Sequence, residues 1–256
     1  MIDYSPIDNS ILLDYLFYPR KDYSVCPEDA FDNIIKVSED ASIHCRFYEN
    51  DKKYPWVLYF HGNGEVVSDY DQIAILYNQI GLNIVVADYR GYGASTGNPS
   101  FSSKVEDAHT IYKKVKEILN EKEYDSVLWI MGRSLGSISA LEIAYKYEEE
   151  LRGMIIESGF HSISELIQHL GLPSSGINLN IIEENCRKMV NKIKLPSLII
   201  HGEIDELVPL SQGQYLYDNL GSKEKKILVI PRANHNDILY VGLKEYFNAI
   251  KEFTNK

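Results

Sequence analysis

Cysteine is scarce in this chain: Cys26, Cys45 and Cys186 are the only three in 256 residues. An odd, widely spaced set gives neither a disulfide framework nor a zinc pattern, so idle or buried thiols in a reducing compartment are expected. Positive charge is also short, with 26 Lys and Arg against 37 Asp and Glu and a net charge of −11. Phosphate binding needs a basic surface, which excludes nucleic acid as a main partner and disfavours docking on anionic lipid. No apolar run of about 18 residues occurs, so no membrane span is expected. Asp3, Asp8 and Asp14 interrupt the start, and no basic n-region or small-residue cleavage site accompanies them. A signal peptide, a myristoylation motif and a prenylation motif are therefore not expected, and the expected location is cytoplasmic. Repeats, low-complexity tracts and Gly/Ser linkers are missing too. The expectation is a single domain over residues 1–256, with a small cap at about 160–190. What is present is ordinary for a folded domain, 45% hydrophobic and 25% charged residues, which excludes wholesale disorder.

Strand and helix patterns alternate. Ile34 to Val37 and Ser42 to Tyr48 read as short strands, an antiparallel start. Trp56 to Phe60 and Asn83 to Ala87 are continuous apolar runs, as strands covered on both faces should be. Asp69 to Ile80 and Phe101 to Leu119 have helical periodicity, the second with Val105, Ala108, Ile111, Tyr112, Val115 and Ile118 on one face. Val127 to Met131, Gly153 to Ile156, Ser197 to Ile200 and Lys226 to Ile230 follow as strands. Leu135 to Tyr147, Leu210 to Leu220 and Ile238 to Phe253 follow as helices. Repeated strand–helix units predict an α/β class with an about eight-stranded, mostly parallel sheet and helices on both faces. In such sheets ligands meet the carboxyl ends of the strands.

After the strand ending at Met131 comes Gly132-Arg133-Ser134-Leu135-Gly136, a G-x-S-x-G between an apolar strand and a helix. A sharp strand-to-helix turn lifts the serine hydroxyl, with glycines where side chains would clash. A serine nucleophile needs a base and a group that orients the base. Asp205 follows the strand ending at Ile200, and His235 follows the strand ending at Ile230. His235 is the candidate base. Asp205 is the candidate acid, with Glu157 as the alternative at another strand end. His44 and His109 lie inside elements and are expected to be structural. His61 and His201, each before a glycine, are expected to pack or hydrogen-bond, and His161 and His169 fall in the possible cap as candidates to touch substrate. Asp237 is expected at the start of the last helix, where a carboxylate complements the dipole. For the oxyanion, the backbone N–H groups of Leu135 and of Asn63, in His61-Gly62-Asn63-Gly64, are the candidate donors.

With these residues in view, the chain resembles a serine hydrolase of the α/β-hydrolase superfamily. Tyr59-Phe60-His61-Gly62-Asn63-Gly64, Asp88-Tyr89-Arg90-Gly91-Tyr92-Gly93, the Ser134 motif, His201-Gly202-Glu203-Ile204-Asp205 and Asn234-His235-Asn236-Asp237 fall in that family's order. They are similar to the abhydrolase-domain branch that includes depalmitoylase-like enzymes and uncharacterised bacterial hydrolases. The resemblance spans roughly residues 30 to 253 and implies an α/β-hydrolase fold with a Ser134, Asp205, His235 triad. It also implies that the Asp-x-Arg-Gly-x-Gly segment is structural, with Asp88 and Arg90 expected to pair. Unlike the depalmitoylase-like relatives, this chain has no N-terminal cysteine cluster.

Phe160, Ile163, Leu166, Ile167, Leu170, Leu172, Ile177 and Leu179 make the cap region apolar, partly core and partly suited to an acyl pocket. No phosphate clamp, P-loop, dinucleotide motif or H-E-x-x-H occurs, so neither a cofactor nor a metal is expected. The expected function is cleavage of carboxylic esters of short to medium acyl groups through an acyl-enzyme on Ser134, a small-molecule acyl ester being the partner. Peptidase, amidase or thioesterase chemistry on the same triad is the alternative. A non-catalytic binding protein on a hydrolase fold is the remote one, and such a protein would be expected to have lost a triad member.

Overall fold

The computed structural model describes residues 2–8, 11–124 and 127–255. They fall into two compact units, Asp3–Trp129 and Ile130–Lys256, with Ile2 grouped with the second.

The first unit runs α1 (Ser5–Asp8), α2 (Leu12–Leu16), β1 (Ala30–Lys36), β2 (Ser42–Tyr48), β3 (Trp56–Phe60), α3 (Asp71–Gln79), β4 (Asn83–Ala87) and α4 (Phe101–Glu121). Its strands lie in the order β1-β2-β4-β3. β1 pairs antiparallel with β2, Ala30 opposite Tyr48, and β2 pairs antiparallel with β4. β3 and β4 run parallel, Trp56 opposite Asn83. Every residue of β3 and β4 is buried, which is why both read as unbroken apolar runs. α4 has two anchors at its N-terminus. The Ser100 hydroxyl accepts from Ser103 N–H, and the Asp8 carboxylate accepts from Phe101 N–H at 2.7 Å and Ser102 N–H at 3.1 Å. An anion there satisfies free amides and the helix dipole together.

The second unit holds β5 (Leu128–Arg133) from Ile130 onward, then α5 (Gly136–Lys146), β6 (Gly153–Glu157), α6 (Ile163–His169), α7 (Leu179–Lys192), β7 (Ser197–Gly202), α8 (Leu210–Asn219), β8 (Lys225–Ile230) and α9 (Ile238–Thr254). Its strand order is β5-β6-β7-β8, with β6, β7 and β8 mutually parallel in register Met154–Ser197–Lys225. Parallel direction places the carboxyl ends of such strands on one rim, and the described residues form the eight strands and mostly parallel pairing that the pattern predicts. α6 and α7 occupy the segment expected as a cap. Among the described residues no helix is long and apolar enough to cross a membrane.

The departures from the expected elements have local causes. β1 begins at Ala30 rather than Ile34, because Phe31 stacks on Phe47 across the pair at 4.7 Å. The helix expected from Asp69 opens as a 3-10 turn, Val67–Tyr70, where the Asp69 carboxylate accepts from Val66 N–H at 3.0 Å. α1 and α2 are too short to show a helical period. The expected Asp88–Arg90 pair does not form. Arg90 makes a two-pronged pair with Asp107 at 2.7 and 2.8 Å, because one turn and a half into α4 the carboxylate faces the guanidinium fork. Asp88 is fully buried and accepts from Val67 N–H at 3.0 Å and from His61 Nε2 at 3.1 Å. Its other oxygen lies 3.7 Å from His44 Nδ1. Burial alone would push the Asp88 carboxyl up, but the neighbouring His44 and His61 rings outweigh that and hold it below the ordinary value.

Gly93 sits at φ +49°, and a Cβ there would overlap Asp88 Oδ2. Gly93→Ala is therefore expected to destabilise the protein by about 2–4 kcal/mol, through backbone strain and displacement of a buried carboxylate. Thermal unfolding of the variant measures it, and an unchanged Tm contradicts the packing described.

Candidate active site

Ser134 lies between β5 and α5 with φ +51°, one of four described non-glycine residues at positive φ. A side chain in that conformation is costly and persists only where its surroundings over-determine it. They do so here. Ser134 N–H donates to Glu157 O at 2.9 Å, and Ser137 N–H and Ser137 Oγ–H donate to Ser134 O at 3.0 and 2.7 Å. A Cβ on Gly132 would lie 2.5 Å from Gly136 O, so the strand-to-helix turn closes only because residue 132 is a glycine. Leu135 is the N-cap of α5 and is buried.

His235 lies in the irregular segment between β8 and α9. His235 Nε2 stands 2.9 Å from Ser134 Oγ, and His235 Nδ1 stands 2.7 Å from Asp205 Oδ2. With its proton on Nδ1, the ring donates to Asp205 and leaves Nε2 free to accept from the serine hydroxyl. Asp205 follows β7, and its Oδ1 accepts from Leu207 N–H at 3.1 Å and Val208 N–H at 2.8 Å. Burial by itself would raise the Asp205 carboxyl. The His235 hydrogen bond and charge, with the Val208 amide, outweigh it and hold it below the ordinary carboxylate value. Ser134, Asp205 and His235 are only 6%, 5% and 4% exposed, so the chain of bonds is shielded from competing water. An open recess of about 540 Å³ borders His235, lined also by Glu206, Leu207, Asn234, Asn236 and Asp237.

The other sequence candidates take supporting places. Glu157, the alternative acid, accepts from Arg133 Nε at 3.1 Å and Tyr246 O–H at 2.7 Å, while Asp205 occupies the position beside His235. His201 is fully buried, with Nε2 2.8 Å from Val208 O, and burial holds it below the usual histidine value. It braces the Asp205 loop. His161 Nε2 lies 2.8 Å from Glu183 Oε1, and its ring stacks on Tyr215 at 3.8 Å. His161 therefore fastens α7 to α8. His169 Nε2 lies 3.0 Å from Glu206 O. Asp237 is the residue just before α9, and its Oδ1 accepts from Asn234 N–H at 2.6 Å. Asn63 belongs to the first unit. Its Oδ1 accepts from Tyr18 N–H at 3.0 Å and Tyr92 O–H at 2.6 Å, and its Nδ2 donates to Leu16 O at 3.1 Å. Arg133 and Tyr246 do not stand out in the sequence. The signal that points to them is Glu157, a carboxylate at the end of an otherwise apolar strand, which must find partners when buried.

A nucleophile elbow joined through a histidine to a buried aspartate is the arrangement of serine hydrolases. A sequence model of the family described as "Serine aminopeptidase, S33" matches residues 51–179 and 178–239. The chain belongs to this family. Protein bem46 of Schizosaccharomyces pombe is 31% identical over 215 residues, covering 80% of this chain and 69% of bem46. The lysophosphatidylserine lipase ABHD12 of Danio rerio is 32% identical over 210 residues, covering 74% of this chain and 53% of ABHD12. The chain thus spans about half the length of that second relative. Among solved structures, the Pyrococcus furiosus esterase Pf2001 matches with a TM-score of 0.76 at 19% identity, over 93% of this chain and 98% of that one. The S33 family members share the α/β-hydrolase fold, and this chain has it too.

The lowered Asp205 carboxyl gives the S33 protein a pH signature. A depressed folded-state value adds stability above the unfolded value near pH 4, and that stability is lost as pH falls through the lower folded value. Asp205→Asn is thus expected to cost about 1–3 kcal/mol at pH 7, a deficit that shrinks below about pH 4. Urea unfolding of both proteins at several pH values tests this, and a deficit equal at every pH contradicts the charged His235–Asp205 bond.

Proposed function

We propose that the protein is a serine hydrolase that cleaves carboxylic esters of short to medium acyl groups. The observation that carries this reading is the unbroken line Ser134 Oγ–His235 Nε2 (2.9 Å) and His235 Nδ1–Asp205 Oδ2 (2.7 Å). His235 takes the Ser134 proton as the oxygen attacks the ester carbonyl. Asp205 fixes the ring's tautomer and stabilises the imidazolium that forms. His235 then returns the proton to the leaving alcohol, and the acyl group stays on Ser134. Water, activated by the same histidine, attacks the acyl-enzyme and releases the acid. The developing oxyanion is assigned to the backbone N–H of Leu135, at the start of α5. The esterase among the structural matches and the lipase among the relatives support ester substrates, and the second points to a lysophospholipid as one ester to try.

The name of the matching family favours a second reading, cleavage of an aminoacyl amide on the same triad. Two experiments decide. A fluorophosphonate probe is expected to label Ser134 in the folded protein and not Ser134→Ala, and Ser134→Ala is expected to lose at least about 10³-fold in kcat. Turnover of p-nitrophenyl esters from acetate to palmitate is expected to peak at short to medium chains and to exceed that of aminoacyl p-nitroanilides and acyl thioesters. Failure of labelling overturns the serine mechanism. Faster turnover of the anilides or thioesters selects the corresponding alternative.

A further inference from the structure

Arg133, the variable residue before the serine in Gly132-Arg133-Ser134-Leu135-Gly136, has a place that the triad alone does not require. Its Nε donates to Glu157 Oε1 at 3.1 Å. Its Nη2 donates to His235 O at 2.8 Å and to Asn236 Oδ1 at 3.1 Å. One planar guanidinium thus spans the end of β6 and the backbone of the residue proposed as the base. Its rigid fork fixes both ends at once, which a lysine ammonium on a flexible stem does not.

The segment that carries His235 needs such a tie. Residues 231–237 have no regular secondary structure. Local bonds shape them: His235 N–H to Asn234 Oδ1 at 2.7 Å, Asn234 N–H to Asp237 Oδ1 at 2.6 Å, and Ile204 N–H to Ala233 O at 3.0 Å. These join the segment to itself and to the Asp205 loop. Arg133 joins it to the elbow. Glu157 completes the link, because its backbone O accepts from Ser134 N–H at 2.9 Å while its side chain holds Arg133. The nucleophile and the base therefore refer to one residue, Glu157, from opposite sides. Glu157 itself is 2% exposed, and Tyr246 O–H fills its other oxygen at 2.7 Å.

We propose that Arg133 is a positioning residue for catalysis, clamping the His235 backbone to Glu157 so that His235 Nε2 stays within hydrogen-bond reach of Ser134 Oγ. The proposal rests on the triad reading above. It predicts an effect on the chemical step and none on substrate binding, since displacing a base by about 1 Å costs on the order of 100-fold in rate.

Two variants test it, with p-nitrophenyl butyrate as substrate. Arg133→Lys keeps the charge opposite Glu157 and loses the fork. It is expected to fold with a circular dichroism spectrum like the parent's and to lose about 10- to 100-fold in kcat with KM within about twofold. The double variant Arg133→Met with Glu157→Gln removes the buried charge pair together and leaves no uncompensated ion. It is expected to recover most of the thermal stability that Arg133→Met alone loses, while kcat stays low. Parental kcat in Arg133→Lys, or recovery of both stability and kcat in the double variant, overturns the proposal and leaves Arg133 as a mere neutraliser of Glu157. Ser134→Ala run in parallel separates the two levels: turnover retained there sinks the triad reading itself. Turnover lost there with Arg133→Lys at parental kcat sinks only the clamp.

Discussion

A serine held at φ +51° with its amide tied to Glu157 O is the constraint on which the rest of the site depends. The turn leaves no room for a Cβ at position 132, whose nearest neighbour would be Gly136 O at 2.5 Å. That closeness lets α5 start immediately after the serine and points Oγ away from the strand. The backbone strain is offset by three hydrogen bonds around Ser134 and Ser137, so the hydroxyl is in place before any ligand arrives. His235 and Asp205 need then only be brought to a fixed point. Parallel strands do this, because β7 and β8 end beside one another in register, His201 opposite Val229 and Gly202 opposite Ile230. The segments after them meet through Ile204 N–H and Ala233 O.

The buried polar groups of the first unit follow a related economy. His61, Asp88 and His44 stand in line through β3, β4 and β2. His44 Nε2 continues to Asp32 at 3.1 Å, and Asp32 holds the fully buried Arg46 in a two-pronged pair. The His44–Asp88 step is a charge contact at 3.7 Å, while the other links are hydrogen bonds; such networks gain strength from the low dielectric of a core. Their effect is to fix the loop after β3, since Tyr89 O–H also reaches His61 O at 2.5 Å.

Much of this was legible in the sequence, for physical reasons. Strands such as Trp56–Phe60 and Asn83–Ala87 are covered on both faces, so their composition alone marks them. The Ser134, Asp205 and His235 motifs sit just after strand ends, the first two beside glycines, and each leaves a short, recognisable string. What was not legible is partner choice among buried ions. Asp88 and Arg90 are two residues apart and of opposite sign, yet the chain turns between Tyr89 and Tyr92, and the two side chains find different partners, His61 and Asp107. Arg133 is invisible for the same reason. Its partners, Glu157 and His235, are distant in sequence, and nothing in a linear pattern pairs them. α6 and α7 read in the sequence only as an apolar segment: α6, Ile163–His169, is too short to show a helical period, and in α7 the exposed Ile181 beside the buried Ile182 interrupts the apolar face.

The side chain of Asn63 has a consequence for the protein's chemical lifetime. An asparagine followed by glycine, as Asn63 is by Gly64, is the pairing whose amide is most open to attack by the next backbone nitrogen. Such attack needs a side chain free to swing toward the following residue. Here Leu16 O, Tyr18 N–H and Tyr92 O–H engage both the oxygen and the nitrogen of the amide. Conversion to aspartate would replace the donor that faces Leu16 O with a carboxylate oxygen, turning an attraction into a repulsion. The residues around Leu16 to Tyr18 thus act as a preservative: they slow the ageing of a loop whose geometry a single hydrolysed amide would undo.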